Sequence, residues 1–200
     1  MMPKSAQRSQ RGFTILEGVV AMSLAVTLFV AVANVLASMS RVYTSTFISD
    51  MGEAEAEVFR TEFDYALKNC QEFEIYQSAD AFSGTGTPVN SGNLLVCNMG
   101  LTQEKYLIFW FQPGSDGQGS GKLCYGEVDT AEQPSLPGVY ATFHDSQFSP
   151  YAATVSPNLF SMAIDPTTGA PIGLVSFNYS VTYELERVSY SGISYPLSMR

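Results

Sequence analysis

Glu17 is the one charged residue in a stretch that otherwise carries no charge from residue 12 to residue 40. Residues 18–40 are apolar apart from scattered Ser, Thr and Asn, and they are long enough to cross a bilayer as a helix. A carboxylate in such a span is costly unless it is paired, so an intramembrane acid indicates a function by default. The chemistry that Glu17 predicts is a charge pair.

An α-ammonium group is a natural partner for this carboxylate. If the chain is cut between Gly12 and Phe13, Phe13 becomes the amino terminus, and Glu17 lies one helical turn away on the same face. The ammonium of one subunit can then pair with Glu17 of a neighbour. Because both charges are satisfied only on assembly, this pairing favours assembly in lipid.

The placement of basic residues predicts the orientation of the span. Residues 1–12 contain Lys4, Arg8 and Arg11 and no acid, and the next charge after Glu17 is Arg41. Positive charge before a span favours a cytoplasmic N-terminus. Residues 42–200 are therefore expected on the far side of the membrane.

The junction at residues 11–17, which reads RGFTILE, resembles the class III signal of type IV pilins and type II secretion pseudopilins. The resemblance implies that prepilin peptidase cuts between Gly12 and Phe13 and that Phe13 is then N-methylated. It also implies that Glu17 is the carboxylate that registers one subunit against the next. The layout is most similar to larger minor pilins and J-type minor pseudopilins. Asn34 stands where major pilins usually carry proline, which favours a minor subunit.

The resemblance also implies partners and a location. The partners are prepilin peptidase, other pilin or pseudopilin subunits that contact the N-terminal helix, and the bacterial inner membrane. The chain would cross that membrane once, with its head in the periplasm, before it enters a pilus or pseudopilus. The expected function is a structural and assembly subunit rather than an enzyme. A variant of this hypothesis is a tip-located minor pilin that binds through loops 77–93 or 145–172.

Other interpretations use the same N-terminal features. A basic segment followed by an apolar stretch and a small residue, such as Ala33 or Ala37, also describes a cleaved secretory signal peptide. The apolar part of such a peptide is shorter, about 7–15 residues. A plain signal anchor is the other alternative, and it would leave an extracytoplasmic binding domain unrelated to pili.

The elements that position Glu17 begin with one long helix. No proline occurs between Phe13 and Cys70, so we predict a helix over this range, with a kink or break near Gly52 as the alternative. The expected segments are a leader (1–12), a transmembrane or filament-core helix (13–40), an amphipathic continuation (41–71) and a β-rich head (72–200). The continuation carries an apolar stripe at helical spacing: Met51, Ala54, Val58, Phe59, Phe63, Ala66, Leu67 and Cys70.

The residue pattern of the rest of the chain is typical of β-strands. Strand candidates are residues 73–76, 94–97, 106–111, 122–128, 138–143 and 174–188, with 106–111 apolar enough to be buried on both faces. Residues 150–171 are expected to be irregular. The fold class predicted is therefore α+β, a pilin-like long helix packed on an antiparallel sheet of roughly five to seven strands.

Composition excludes several classes of protein. The 200 residues carry a net charge of −9, with 46% hydrophobic and 14% charged residues, which excludes a disordered tail. A pI near 4.5 argues against direct nucleic-acid binding, because neutralising phosphates needs clustered Lys and Arg. His144 is the single histidine, so a His-rich metal site is impossible. Its predicted place is the protein surface.

The remaining candidate chemistry is limited. Cys70, Cys97 and Cys124 lie in the part expected outside the cytoplasm, where disulfides persist, and the options are Cys97–Cys124, Cys70–Cys97 or three buried thiols. No metal site is expected from them, because their spacing is not that of metal ligands. Ca²⁺ is a minor possibility at Asp116-Gly117, Glu127 and Asp129, and no other cofactor is expected.

Overall fold

A single helix, α1 (Ile15–Asn69), occupies the first third of the chain. The computed structural model describes residues 14–83, 86–100, 105–114, 119–129, 136, 139, 141–144, 152–183 and 186–197. The chain divides into two compact units, Met1–Phe47 and Ile48–Arg200, and α1 contributes to both. The predicted long helix is confirmed, and it is not interrupted at Gly52.

An antiparallel sheet follows the helix, which confirms the α+β class. Its strands are β1 (Glu72–Tyr76), β2 (Ser91–Gly92), β3 (Leu94–Asn98), β4 (Lys105–Pro113), β5 (Ser120–Asp129), β6 (Ala141–Phe143), β7 (Ala152–Thr154), β8 (Phe160–Ile164), β9 (Pro171–Tyr183) and β10 (Glu186–Ser194); a short helix, α2 (Ala79–Ser83), follows β1. The strand order is β1-β3-β4-β5-β7-β9-β8-β2, with β10 paired to β9 and β6 to β5. These ten strands exceed the five to seven that were expected.

Two wrong predictions account for three of the four strands that were not expected, β7, β8 and β10. The fourth, β2, lies in residues 77–93, which were expected to form a loop. Residues 150–171 are not irregular throughout, because β7 and β8 pair with β9, and their residues Ala153 and Phe160 are fully buried. Strands of three and five residues are too short to give a periodic signal. Residues 174–188 are not one strand, because β9 pairs with β10 from Tyr183 opposite Glu186 onward. No Gly, Pro, Asn or Asp lies between those two residues to indicate a turn.

The carboxyl-terminal part of α1 packs on one face of the sheet. Phe59 lies at the centre, with edge-to-face contacts at 5.2–5.9 Å between its ring and those of Phe109, Phe143, Phe177 and Tyr179. The apolar stripe predicted from spacing is right from Phe59 onward and wrong before it. Met51, Ala54 and Val58 are exposed, whereas Ala56 is buried. Residues 56, 59, 63, 66 and 70 are spaced alternately by three and four, and residue 67 lies four after 63. The three wrong residues do not fall on this line.

Strand β4 has apolar residues on both faces, as predicted. Leu107, Phe109 and Phe111 join the core beneath α1. Ile108 and Trp110 face the other side, where they belong to a second apolar cluster. Partly buried side chains of α2 pack against that second cluster. The sheet therefore separates two apolar layers, and a side chain's strand position decides which layer it enters.

Candidate functional site

The candidate assembly site is the amino-terminal segment, which we define as residues 14–47. Its large apolar side chains are exposed, from Ile15 at 90% through Phe29 at 74% to Tyr43 at 75%. By length and composition α1 is able to cross a membrane, with a mean hydropathy of 2.4 over an 18-residue window that is wholly exposed. A helix that is apolar all round needs lipid or other protein around it.

Glu17 lies in the first turn of this helix, and it closes a capping box with Thr14. The backbone N–H of Thr14 donates to Glu17 Oε2 at 3.0 Å, and the Thr14 hydroxyl donates to the same oxygen at 2.9 Å. In return, the Glu17 N–H donates to Thr14 Oγ1 at 3.3 Å. This reciprocal arrangement satisfies donors that would otherwise be unpaired at the start of a helix.

The capping box leaves part of the Glu17 carboxylate available. Both hydrogen bonds from Thr14 use Oε2, and within the described residues no hydrogen bond reaches Oε1. A cationic donor from another chain is therefore compatible with the cap. The predicted cleavage residues, Gly12 and Phe13, lie outside the described residues, so the geometry of the peptide bond between them is not part of the site described here.

The three cysteines are buried thiols, and the sheet separates Cys124 from the other two. Cys70 follows the last residue of α1, and Cys97 lies in β3; both belong to the apolar layer beneath α1. Cys124 in β5 lies in the opposite layer, where its thiol donates to Gln112 Oε1 at 3.6 Å. A Cys97–Cys124 bridge would have to pass through the sheet, whereas Cys70 and Cys97 lie in the same layer.

His144 is not a surface residue, and that prediction is wrong. It is fully buried at the end of β6, and its backbone has the positive φ of 54° that side chains rarely adopt. Its Nε2 lies 3.1 Å from the Tyr179 hydroxyl, and its ring stacks against that of Tyr190 at 5.9 Å. The sequence suggested exposure because His144 and the adjacent Asp145 follow a predicted strand.

The partner that anchors His144 is Glu55 of α1. Glu55 Oε2 accepts a hydrogen bond of 2.7 Å from the His144 backbone N–H and lies 3.3 Å from its Nδ1. Among the described residues, Nδ1 makes no hydrogen bond. Burial lowers the pKa of His144 to about 4, so the ring is neutral near pH 7. A neutral ring enclosed by aromatic side chains serves to fix the helix on the sheet.

The possible Ca²⁺ ligands do not form a described site. Asp116 and Gly117 lie outside the described residues. Glu127 accepts hydrogen bonds from Lys105 Nζ at 2.9 Å and from the Tyr125 hydroxyl at 3.1 Å, and these bonds lower the pKa of its carboxyl. In the part of the chain that the structure describes, no three His, Cys, Asp or Glu residues are arranged to hold a metal ion.

Two acidic residues of α1 fasten the helix to the rest of the head, and neither contact was predicted from the sequence. The acids at residues 53–64 are by sequence typical of a solvated helix face, yet Glu55 binds His144, and Asp64 Oδ1 accepts a hydrogen bond of 2.6 Å from the Ser194 hydroxyl. The sequence indicates one contact of Asp64, because an acid four residues before a lysine favours an ion pair on a helix. Asp64 and Lys68 do form that ion pair. Thr14 was also missed as a cap, although T-x-x-E is a recognisable capping pattern.

Comparison with known proteins finds no relative of this chain. The chain matches no family model, no curated protein and no solved structure. What it does has to be argued from its own residues.

Proposed function

We propose that the protein is a membrane-anchored structural subunit that assembles through its amino-terminal segment, as a minor pilin or pseudopilin. The observation that carries this proposal is an exposed apolar helix with a single carboxylate in its first turn. Lipid covers such a surface before assembly, and the helices of neighbouring subunits cover it afterwards. The RGFTILE junction, which contains this carboxylate, supports the same proposal through its resemblance to the pilin signal.

The role proposed for Glu17 is to pair with the amino terminus of a neighbouring subunit. Cleavage between Gly12 and Phe13 creates the ammonium, and Glu17 Oε1 accepts from it while Oε2 continues to cap the helix. Two charges that are costly in an apolar surrounding are then neutralised together.

A plain signal anchor is the competing proposal, and the capping box is the observation that favours it. If Glu17 serves only to cap its own helix, no partner subunit is needed to explain it. Glutamine at the same position also completes a capping box. The two proposals therefore differ in what they expect of Glu17→Gln, which keeps the cap and removes the charge.

The test compares three variants in the bacterium that makes the protein. We expect Glu17→Gln and Glu17→Ala to be processed normally but to enter sheared surface filaments at roughly one tenth of the wild-type level, a loss of about 1.4 kcal/mol. Thr14→Val, which removes the capping hydroxyl, is the matched control and should enter near the wild-type level. Normal incorporation of Glu17→Gln together with loss of Glu17→Ala would favour the cap and contradict the assembly role.

A further inference from the structure

The thiols of Cys70 and Cys97 meet where α1 ends on the sheet. The two side chains interact, because each shifts the pKa of the other. Both side chains are buried in the apolar layer beneath α1, at 1% and 0% exposure. No other cysteine lies in that layer among the described residues, because Cys124 is in the layer on the far side of the sheet.

Backbone hydrogen bonds fix the two thiols in place. The Cys70 N–H donates to Ala66 O at 2.9 Å, which continues the helix, and the next N–H, that of Gln71, donates to Asn98 O at 2.8 Å. Phe73 and Cys97 then pair directly in the β1–β3 ladder. The contacts at Gln71 and Phe73 therefore hold the helix end against β3 directly beside the two cysteines.

The two thiols are chemically unequal. The hydrogen bond from Cys97 lowers the pKa of Cys70, whereas burial raises the pKa of Cys97. Cys70 also lies at the helix end, where opening of the last helical turn exposes it first.

We propose that Cys70 and Cys97 form a disulfide that joins the end of α1 directly to β3. The proposal rests on the extracytoplasmic position of the head that the proposed function requires, because disulfides persist in such compartments. Cys124 takes no part and stays reduced.

The oxidant is a second disulfide, carried by a protein or a small molecule. The Cys70 thiolate attacks one sulfur of that disulfide and releases the other as a thiolate, which gives a mixed disulfide. The Cys97 thiolate then attacks the Cys70 sulfur and releases the second oxidant thiolate. Two electrons pass from the protein to the oxidant, and the two thiol protons follow, so the oxidant ends as two thiols.

The bond would change how the head bears load. Strand β1 follows α1 closely, and β3 is its partner in the sheet. Force on α1 in a filament would peel β1 from β3 by breaking those ladder hydrogen bonds in turn. A Cys70–Cys97 bond carries the same load from α1 to β3 without passing through β1. It also closes the loop 70–97, which contains β1, α2 and β2.

The positions of Lys and Arg allow a direct test by non-reducing trypsin digestion. Residues 69–105 form one tryptic peptide with Cys70 and Cys97, and residues 123–187 form another with Cys124. The full-length chain in detergent is equilibrated with a mixture of reduced and oxidised glutathione, alkylated and digested. We expect peptide 69–105 to lose the mass of two hydrogen atoms and to resist alkylation, while peptide 123–187 is alkylated.

Other products of the same digest would overturn the proposal. A cross-link between the two peptides indicates pairing through Cys124, and full alkylation of peptide 69–105 indicates that no bond forms. Thermal unfolding is the second measurement. Reductant should lower the midpoint of the wild-type chain and of Cys124→Ala by about 10 °C. It should leave that of Cys97→Ala unchanged, and an equal response of all three chains would contradict the assignment.

A measurement in cells distinguishes failure of the disulfide proposal from failure of the proposed function. The same digest is made from cells alkylated before lysis. A Cys70–Cys97 bond in cells supports both. A bond that forms with glutathione but is absent in cells supports the pairing and contradicts the extracytoplasmic head.

Discussion

The Glu55 carboxylate holds the backbone of His144 in a left-handed conformation, with 2.7 Å between Oε2 and the His144 nitrogen and a φ of 54°. This conformation costs an L-residue about 1–2 kcal/mol. The contact offsets that cost by satisfying a backbone donor beside a fully buried ring. It joins α1 to the end of β6 across 89 residues of sequence.

Removing the Glu55 carboxylate should destabilise the head. In Glu55→Ala the His144 N–H loses its acceptor, and an unsatisfied buried donor costs about 1–3 kcal/mol. We expect a drop of roughly 3–10 °C in the unfolding midpoint, measured by circular dichroism of the detergent-solubilised chain. Glu57→Ala, two residues along the same helix and exposed, is the matched control. Equal midpoints for the two variants would contradict the role of Glu55.

Stability should fall in mild acid because of His144. Burial lowers its pKa to about 4 from the ordinary 6.5, so between these values the unfolded chain binds the proton and the folded chain does not. The free energy of unfolding is therefore unaffected by this group above pH 6.5. It falls by roughly 3 kcal/mol at most as the pH is lowered to 4. The groups that face the ring are Glu55, Tyr179 and Tyr190, and the Glu55 carboxylate reduces the loss because it favours the charged ring.

The variant that isolates this effect is His144→Asn, because asparagine does not titrate and tolerates the left-handed conformation. The unfolding midpoint of both chains is measured from pH 7.5 to pH 4. The wild-type midpoint should fall more steeply than that of the variant below pH 6.5. Parallel curves would show that His144 is protonated with an ordinary pKa.

The adjacent residues Phe59 and Val58 of α1 should differ sharply in their contribution to the free energy of unfolding. Phe59→Ala leaves a cavity among four aromatic rings, and a substitution of this kind costs about 3–5 kcal/mol. Val58→Ala removes a side chain that is 51% exposed and should cost less than about 0.5 kcal/mol. Chemical denaturation of the detergent-solubilised chain measures both. A cost for Val58→Ala near that for Phe59→Ala would show that the helix face has been misassigned.

The basic segment before the span should decide its orientation. Replacing Lys4, Arg8 and Arg11 with Gln removes the charge that favours a cytoplasmic N-terminus. Protease added to spheroplasts should digest the head of the wild-type protein in most molecules and that of the triple variant in clearly fewer. Identical digestion of the two proteins would mean that the head crosses the membrane for another reason.

The helix and the central strands were predictable because each has a strong local signal. The span from Phe13 to Cys70 lacks proline, and residues 106–111 are almost continuously apolar. Strands β7 and β8 were not predictable, since strands this short form only through their pairing with neighbours, β5 and β9 for β7 and β9 and β2 for β8. The turn after Tyr183 was not predicted, because no Gly, Pro, Asn or Asp lies there to indicate it. In each case a tertiary partner outweighs local preference.

The candidate sites divide in the same way. Glu17 was identifiable because a charge within an apolar stretch is conspicuous in sequence alone. The choice between Cys70–Cys97 and Cys97–Cys124 was open, because it depends on which layer each thiol enters. Glu55 and His144 gave no signal, because contacts between residues so distant in sequence have no periodic pattern, and the acids around Glu55 suggested only a solvated face.

The central claim is that the chain is processed between Gly12 and Phe13 and assembles through the new amino terminus. Intact-mass and N-terminal peptide mass spectrometry of the protein purified from its native membrane tests this claim most directly. We predict a mature chain of residues 13–200 whose Phe13 carries one added methyl group on its amino nitrogen. A chain that begins at Met1, or one cleaved after Ala33 or Ala37, would contradict the claim.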